Sequence, residues 1–370
     1  MKLTLQIKLL PDDTQAKSLF ATVKECNRAC NEMSEYAWTH KIFNQFRLHK
    51  GVYHAVRKSS KLAAQAVVRC ISKVADSYKL DKKRKRVFRL LGAVTYDVRI
   101  LSYSIDKRIA SLWSVDGRLK IPFVCHNDKL LPYVKGEADL IAKNGKWYLF
   151  QTVEVPEDDV SDVEDFLGVD FGIVNLATTS DGKSFSGEAV DNTRVRIHTL
   201  KKALQKKGTP SARRHLKKLS GKERRFKRTT NHTIAKKIVQ TAKDTRRSIV
   251  LEDLKGFRAT VRKEQRERFG KWAFDELGRF ITYKGKLAGV PVFFVDPRNT
   301  SRTCYRCGHV AKANRKSQSE FVCKECGFSI HADISGAKII ASRASVNRPI
   351  VAGASPRKRS VSNRVTSRLL

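Results

Sequence analysis

From Lys2 to Pro11 the apolar residues Leu3, Leu5, Ile7 and Leu9 alternate with mostly polar ones, the period of two expected of a half-buried strand. Pro11-Asp12-Asp13-Thr14 then ends it. From about residue 15 to 46 the spacing becomes helical, with Leu19, Val23, Ala29 and Met33 near one face, and helical spacing recurs over about 59–77 and 87–109. Strand patterns return at 118–124 and at 138–142, which meets 146–150 across Asn144-Gly145, a hairpin turn signal. The reading is a small β-barrel module made of residues 1–13 and 111–156, with a helical insert at 14–110.

Between Glu154 and Asp165 acidic residues cluster, Glu157-Asp158-Asp159 and Asp162, Glu164, Asp165 among them, and read as a solvated linker between domains. An apolar strand interrupted by Asp170 follows at 166–170, then a turn and a second strand to Ala177. Helical, strongly basic sequence covers 195–243, a buried strand 248–252, a helical stretch about 269–287 and a strand 290–295. Strands and helices alternate here, so this half is α/β and the whole chain a multidomain α+β protein. Beyond Ile340 no apolar period remains, and 342–370 read as a disordered basic tail.

Charge narrows the function. Among 370 residues, 75 Lys and Arg face 36 Asp and Glu, a formal charge of +39. Such a particle needs a polyanionic partner, and nucleic acid is the usual one. The density of cations over 195–243 predicts a salt-dependent phosphate-binding stripe. No segment reaches about 18 consecutive apolar residues, and the alternating amino terminus lacks a signal core, which points to a cytoplasmic protein with no membrane partner.

Of eight cysteines, Cys26, Cys30, Cys70 and Cys125 are scattered and read as core or surface thiols. The others form two pairs, Cys304-Tyr305-Arg306-Cys307 and Cys323-Lys324-Glu325-Cys326, at the spacing of a four-thiolate zinc ribbon over 301–327. Gly308 and Gly327 follow each pair and let the backbone turn so that amides face sulfur. Four thiolates leave no open position, so this Zn2+ is expected to be structural.

Three carboxylates stand at the ends of apolar runs: Asp170 after Gly168-Val169, Glu252 after Ile249-Val250-Leu251, and Asp333 after Ile330-His331-Ala332. Buried together they would repel one another, and bound cations resolve that cost. Two Mg2+ ions held by Asp170, Glu252 and Asp333 would suit in-line phosphodiester hydrolysis.

The stretches Gly168-Val169-Asp170-Phe171-Gly172, Ile249-Val250-Leu251-Glu252-Asp253-Leu254 and His331-Ala332-Asp333 resemble, in order and spacing, the three RuvC motifs of the TnpB family, transposon-encoded proteins related to type V CRISPR effectors. The resemblance covers roughly 166–341, including Asn231-His232 and the cysteine cluster. It implies a ribonuclease H-like RuvC nuclease domain over 166–300 and 328–341, a guide RNA, a double-stranded DNA target, catalysis by Asp170, Glu252 and Asp333, and a bacterial or archaeal, nucleoid-associated setting. The third motif departs from the family's common Asp-x-Asn-Ala-Ala, reading Asp333-Ile334-Ser335-Gly336-Ala337. Three alternatives stand beside the guided endonuclease: a nuclease-weak guided DNA-binding regulator, an unguided RuvC-like resolvase or transposase, and a zinc-containing structural RNA-binding protein.

Overall fold

Strand β1 (Lys2–Leu9) buries Leu5, Ile7 and Leu9 and leaves the residues between them more exposed, as its period requires. In the computed structural model, which describes residues 1–159, 165–254 and 274–346, the chain divides into two units, Met1–Pro156 and Glu157–Leu370. Among the described residues no helix is long and apolar enough to cross a membrane.

In the first unit β1 leads into α1 (Asp13–Thr39), entered through a capping box between Asp12 and Gln15. Leu19, Val23, Cys26, Cys30, Met33 and Ala37 form its buried stripe. The chain turns at Lys41, in the left-handed region at φ 55°, and restarts as α2 (Gln45–Ser59), whose cap Asn44 accepts from the N–H groups of Phe46 and Arg47. The expected continuous helix over 15–46 is thus two helices divided by this cap. Helix α3 (Ala64–Leu80) buries Val67, Ile71, Val74 and Tyr78.

The expected helix over 87–109 does not form. Residues 81–93 contain no α-helix or strand. They are pinned by α1: Asn31 makes a two-way bond with the Phe88 backbone, Ser34 Oγ donates to the Arg86 carbonyl, and Asn27 Nδ2 donates to the Leu90 and Gly92 carbonyls. Strands β2 (Val94–Tyr96), β3 (Leu101–Ser104) and β4 (Ile109–Ser114) follow. Val94, Tyr96, Leu101, Ala110 and Leu112 are buried in the core, so the sheet claims residues assigned above to a helical insert.

Strands β5 (Gly117–Cys125), β6 (Val134–Lys143) and β7 (Lys146–Glu154) complete a seven-stranded sheet, order β2-β6-β7-β1-β5-β4-β3, whose pairings are all antiparallel. As anticipated, β1 lies between the later strands β5 and β7. Tyr96 on edge strand β2 donates its hydroxyl to the Trp113 carbonyl on β4 (2.9 Å), drawing the margins together into a nearly closed barrel.

The second unit contains a five-stranded mixed sheet. Strands β8 (Asp165–Asp170), β9 (Asn175–Thr179) and β10 (Ser184–Ser186) form an antiparallel meander. After helices α4 (Glu188–Lys207) and α5 (Pro210–Asp244), strand β11 (Arg247–Glu252) pairs parallel with β8. Helix α6 (Phe274–Leu287) then leads to β12 (Val292–Val295), which extends the parallel part in the order β10-β9-β8-β11-β12. A short hairpin of β13 (Glu320–Val322) and β14 (Ser329–His331) precedes α7 (Ala332–Val346). This last helix passes Ser342, where a tail was expected to begin; residues 347–370 lie outside the described residues, as do 269–273 of the helical stretch expected over 269–287.

Alternation along the central strands separates two cores. Leu167, Val169, Ile249 and Leu251 pack with residues of α5 and α6, while Val250 packs with Val295, Ile340 and Ala344 on the α7 side. Helix α7 lies so close to β8 that a Cβ on Gly168 would collide with the Ala337 carbonyl and meet the Ala341 nitrogen at 2.7 Å. Backbone cannot retreat as a side chain can. Gly168→Ala is expected to destabilise the second unit by about 3 kcal/mol, the upper part of the usual overpacking range, read as a lowered denaturant midpoint of that unit with the first unit unaffected.

Candidate metal centres

The parity that sends Leu167 and Val169 to one face sends Gly168 and Asp170 to the other, toward α7. Asp170 ends β8, and Glu252 ends the neighbouring β11, where Leu251 pairs with Val169. Asp333 is the second residue of α7 and is buried, 7% exposed. Asp170 and Glu252 are half-buried.

Each carboxylate has its own support. Glu252 Oε1 accepts from Thr300 Oγ1 at 2.6 Å, and Thr300 comes from the loop after β12. Asp333 Oδ2 accepts from Asn175 Nδ2 at 2.9 Å, and its Oδ1 lies 3.5 Å from an Arg315 guanidinium nitrogen. Asp170 Oδ2 lies against α7, where a Cβ on Gly336 would stand 2.9 Å from it. Desolvation, then the charges of Glu252 and Asp333, push Asp170 well above the ordinary carboxylate range, with Arg315 opposing. Desolvation also raises Glu252, against the Thr300 bond and the Arg343 charge.

Asp170 is therefore the middle group, within electrostatic reach of both partners. The trio is more open than a single-ion cage: among the described residues only the cysteine group has its ligand atoms all within 4.8 Å of one another. Hard oxygen donors, half-buried and short of compensating charge, suit Mg2+ or a similar divalent cation. Thr300, Asn175, Arg315 and Gly336 were not read from sequence as parts of this site. Asn175 stands within a quoted strand, whereas Thr300 and Arg315 carry no local signal and reach the carboxylates only through tertiary folding.

The four cysteines converge as their spacing predicts. Sγ of Cys304 lies 3.7 Å from that of Cys326, and Sγ of Cys307 lies 3.6 Å from that of Cys323. Four sulfurs at the usual Zn–S length of about 2.3 Å stand about 3.8 Å apart at the corners of a tetrahedron, so the arrangement fits zinc. Each pair forms a knuckle. Cys304 N donates to the His309 carbonyl and Cys323 N to that of Phe328, and Gly308 and Gly327 take φ of 75° and 70° to make the turns. The Cys326 amide, set against desolvation and helped by the Glu325 amide, pulls the Cys323 thiol down to about 6. That polarity favours the thiolate a metal needs.

Two family models match parts of the chain. Residues 150–256 match the family described as "Probable transposase", of the OrfB type, and residues 274–340 match the Cas12f1-like TNB domain. A TnpB-like protein of Methanocaldococcus jannaschii is 30% identical over 164 residues, 40% of this chain and 58% of that protein. The second half of the chain is thus similar to TnpB-like and Cas12f1-like proteins. The CRISPR-associated endodeoxyribonuclease Cas12f1 of Syntrophomonas palmitatica is 28% identical over 222 residues, 55% of this chain and 44% of that protein. The chain thus spans about half the length of the curated relatives it matches. Among solved structures, a Cas12f1–sgRNA–target DNA complex aligns over 92% of this chain and 99% of that one, at 16% identity and a TM-score of 0.41.

Two outcomes test these centres. An acid whose pKa is raised by folding holds more protons folded than unfolded, so its contribution to stability is present at low pH and is lost as pH rises from the ordinary carboxylate range through the raised value. In EDTA the second unit should therefore weaken above that range, and Asp170→Asn should raise its neutral-pH stability by about 1 kcal/mol, or about 2–4 °C, checked by calorimetry. Cys304→Ser should reduce bound zinc from about one per chain to near none, measured by elemental analysis, with loss of protease resistance around the ribbon.

Proposed function

We propose that this chain is an RNA-guided DNA endonuclease whose second unit is a ribonuclease H-like, RuvC-type nuclease. The observation that carries the reading is that Asp170 and Glu252 end adjacent strands while Asp333 stands in the first turn of α7, the helix packed against β8, in a region similar to TnpB-like proteins. The sheet order, with β8 central, antiparallel to β9 and parallel to β11, supports the ribonuclease H-like assignment. The names borne by relatives, endodeoxyribonuclease and TnpB-like protein, support DNA as substrate.

Asp170, Glu252 and Asp333 are the catalytic groups and would hold two Mg2+ ions. When bound, the ions supply activation of water and stabilisation of the leaving oxygen in an in-line phosphodiester displacement. The protein's own part is orientation: Thr300 fixes the Glu252 carboxylate, and Asn175 and Arg315 fix that of Asp333. The zinc ribbon at 301–327 is structural, since a four-thiolate site keeps no position for water. Its hairpin runs directly into α7, the Ala332 N–H donating to the Ser319 carbonyl, so a folded ribbon holds the start of the helix that carries Asp333.

Helix α5, 35 residues long, supplies a phosphate-binding face. Arg213, Arg214, Lys217, Lys218, Arg224 and Arg225 are exposed, and the one acid among them, Glu223, is occupied by Lys201 at 2.6 Å and Lys227 at 3.3 Å. Uncompensated cations along one helix suit a guide RNA and its paired DNA strand.

The test is to sequence RNA that copurifies with the full chain and to incubate that complex with matching double-stranded DNA in Mg2+ and in EDTA. A discrete RNA and Mg2+-dependent cutting are expected, with Asp170→Ala reducing cleavage to background while RNA and target binding persist. Discrete RNA with binding alone would mark a guided regulator instead, and the absence of discrete RNA would favour an unguided nuclease.

A further inference from the structure

Ile234, Ala235 and Ile238 fix α5 to the core of the second unit, and just before them the helix meets α6 in a cluster of rings and cations outside the carboxylate site. The His232 ring lies flat on Phe280, centroids 3.8 Å apart and planes 13° from parallel. Tyr283 meets Phe280 edge-on at 5.9 Å and brings its hydroxyl 3.4 Å from His232 Nδ1. The Arg228 guanidinium stands 5.8 Å from the Phe280 ring centre, and the Lys284 ammonium 5.3 Å from that of Tyr283. Arg228 and His232, like Phe280 and Lys284, are four apart in sequence, so each helix brings a ring and a cation to one seam. These cations lack a counter-charge. Among the described residues neither Arg228 nor Lys284 forms an ion pair. Burial alone pulls Lys284 below the ordinary lysine range, with no acid opposing it. Burial, then Lys284 and Arg228, pull His232 below the ordinary imidazole range, against Glu276, one oxygen of which is engaged by Asn231 Nδ2 at 3.0 Å. Positive groups short of both water and acids suit an anion, by the same reasoning that makes three acids suit a cation.

We propose that Arg228, His232, Tyr283 and Lys284 hold a backbone phosphate of the DNA strand being cut, a binding contact separate from the carboxylates. This rests on the nuclease reading above and gives its substrate a second anchor. The Tyr283 hydroxyl donates to Nδ1, which leaves the imidazole proton on Nε2 as a donor to a phosphate oxygen, and Phe280 beneath the ring keeps it from turning away. Placement selects the cut strand over the guide. Phe274, the first residue of α6, packs at 6.2 Å on Phe171, the neighbour of Asp170. From there Phe280 and Lys284 follow at about 9 and 15 Å along the helix, at about 1.5 Å per residue. That is the span of about three to five phosphates, at about 3.4 Å each along one strand. The exposed cations assigned above to guide and duplex, Arg213 to Arg225, all precede the cluster on α5.

The experiment uses the full chain with its copurified RNA and matching DNA whose cut strand carries one methylphosphonate, a phosphate without its charge, at successive positions from the cleavage point. In wild type a position about three to five phosphates from the cut should slow single-turnover cleavage about tenfold, the loss of one hydrogen bond to a charged group. Lys284→Gln and Arg228→Gln should each lose about as much on unmodified DNA and nothing further from the methylphosphonate at that position, whereas Lys284→Arg should keep most of the wild-type rate. Without DNA, the melting temperature of Lys284→Gln should equal or exceed that of wild type, since an unpaired, half-buried charge is removed. Additive losses at every position would overturn the proposal. So would a lowered melting temperature, which would make Lys284 a packing residue, or loss of copurified RNA from Lys284→Gln, which would make the cluster a guide contact. If wild type does not cut, or Asp170→Ala cuts equally well, the nuclease reading fails and this proposal with it; if only the coupling between variant and methylphosphonate is missing, the nuclease reading stands and the phosphate contact is lost.

Discussion

Everything at the carboxylate site depends on how closely one helix lies against one strand. Gly168 lets α7 approach β8 until backbone meets backbone at Ala337 and Ala341. Because strand residues alternate, the position that makes this contact shares its face with Asp170 two residues on. Because α7 begins with Ala332, the same contact brings Asp333 beside the strand end. Moving the helix out by the width of a methyl group would separate the ligands as well as loosen the core around Val250, Ile340 and Ala344. Packing and chemistry here answer to one distance.

That closeness is costly without a cation. Arg315, Arg343, Thr300 and Asn175 compensate only in part, since Asp170 and Glu252 remain raised. A site with unspent repulsion binds a divalent ion more strongly than a relaxed one, because the ion relieves the repulsion as it forms its own bonds. The four-cysteine segment contributes to the same balance, Arg315 reaching from it to Asp333.

Local signals in the sequence were sufficient wherever period and spacing decide structure. Leu3 to Leu9 alternate and form β1; the two Cys-x-x-Cys pairs meet; Asp170 and Glu252, each closing an apolar run, end adjacent strands. Residues 87–109 misled because their strands are short, three and four residues for β2 and β3, too short to display a period of two against helical spacing. The segment before them is shaped by Asn27, Asn31 and Ser34, more than 50 positions away in the chain, which no local pattern can announce. Likewise Arg315 and Thr300 serve the carboxylates by position in space.

The chain combines a formal charge of +39 with a group of half-buried and buried acids in its second unit, and distance from solvent reconciles the two. Exposed charges on α5 act through water and ions, where their influence fades beyond about 8–10 Å at ordinary salt. Acids at the end of β8 feel first their loss of water and next their neighbouring acids, which is why burial raises Asp170 despite a formal chain charge of +39. In this unit the excess of Lys and Arg therefore leaves the balance at Asp170 to be set by its nearest neighbours, Glu252, Asp333 and Arg315.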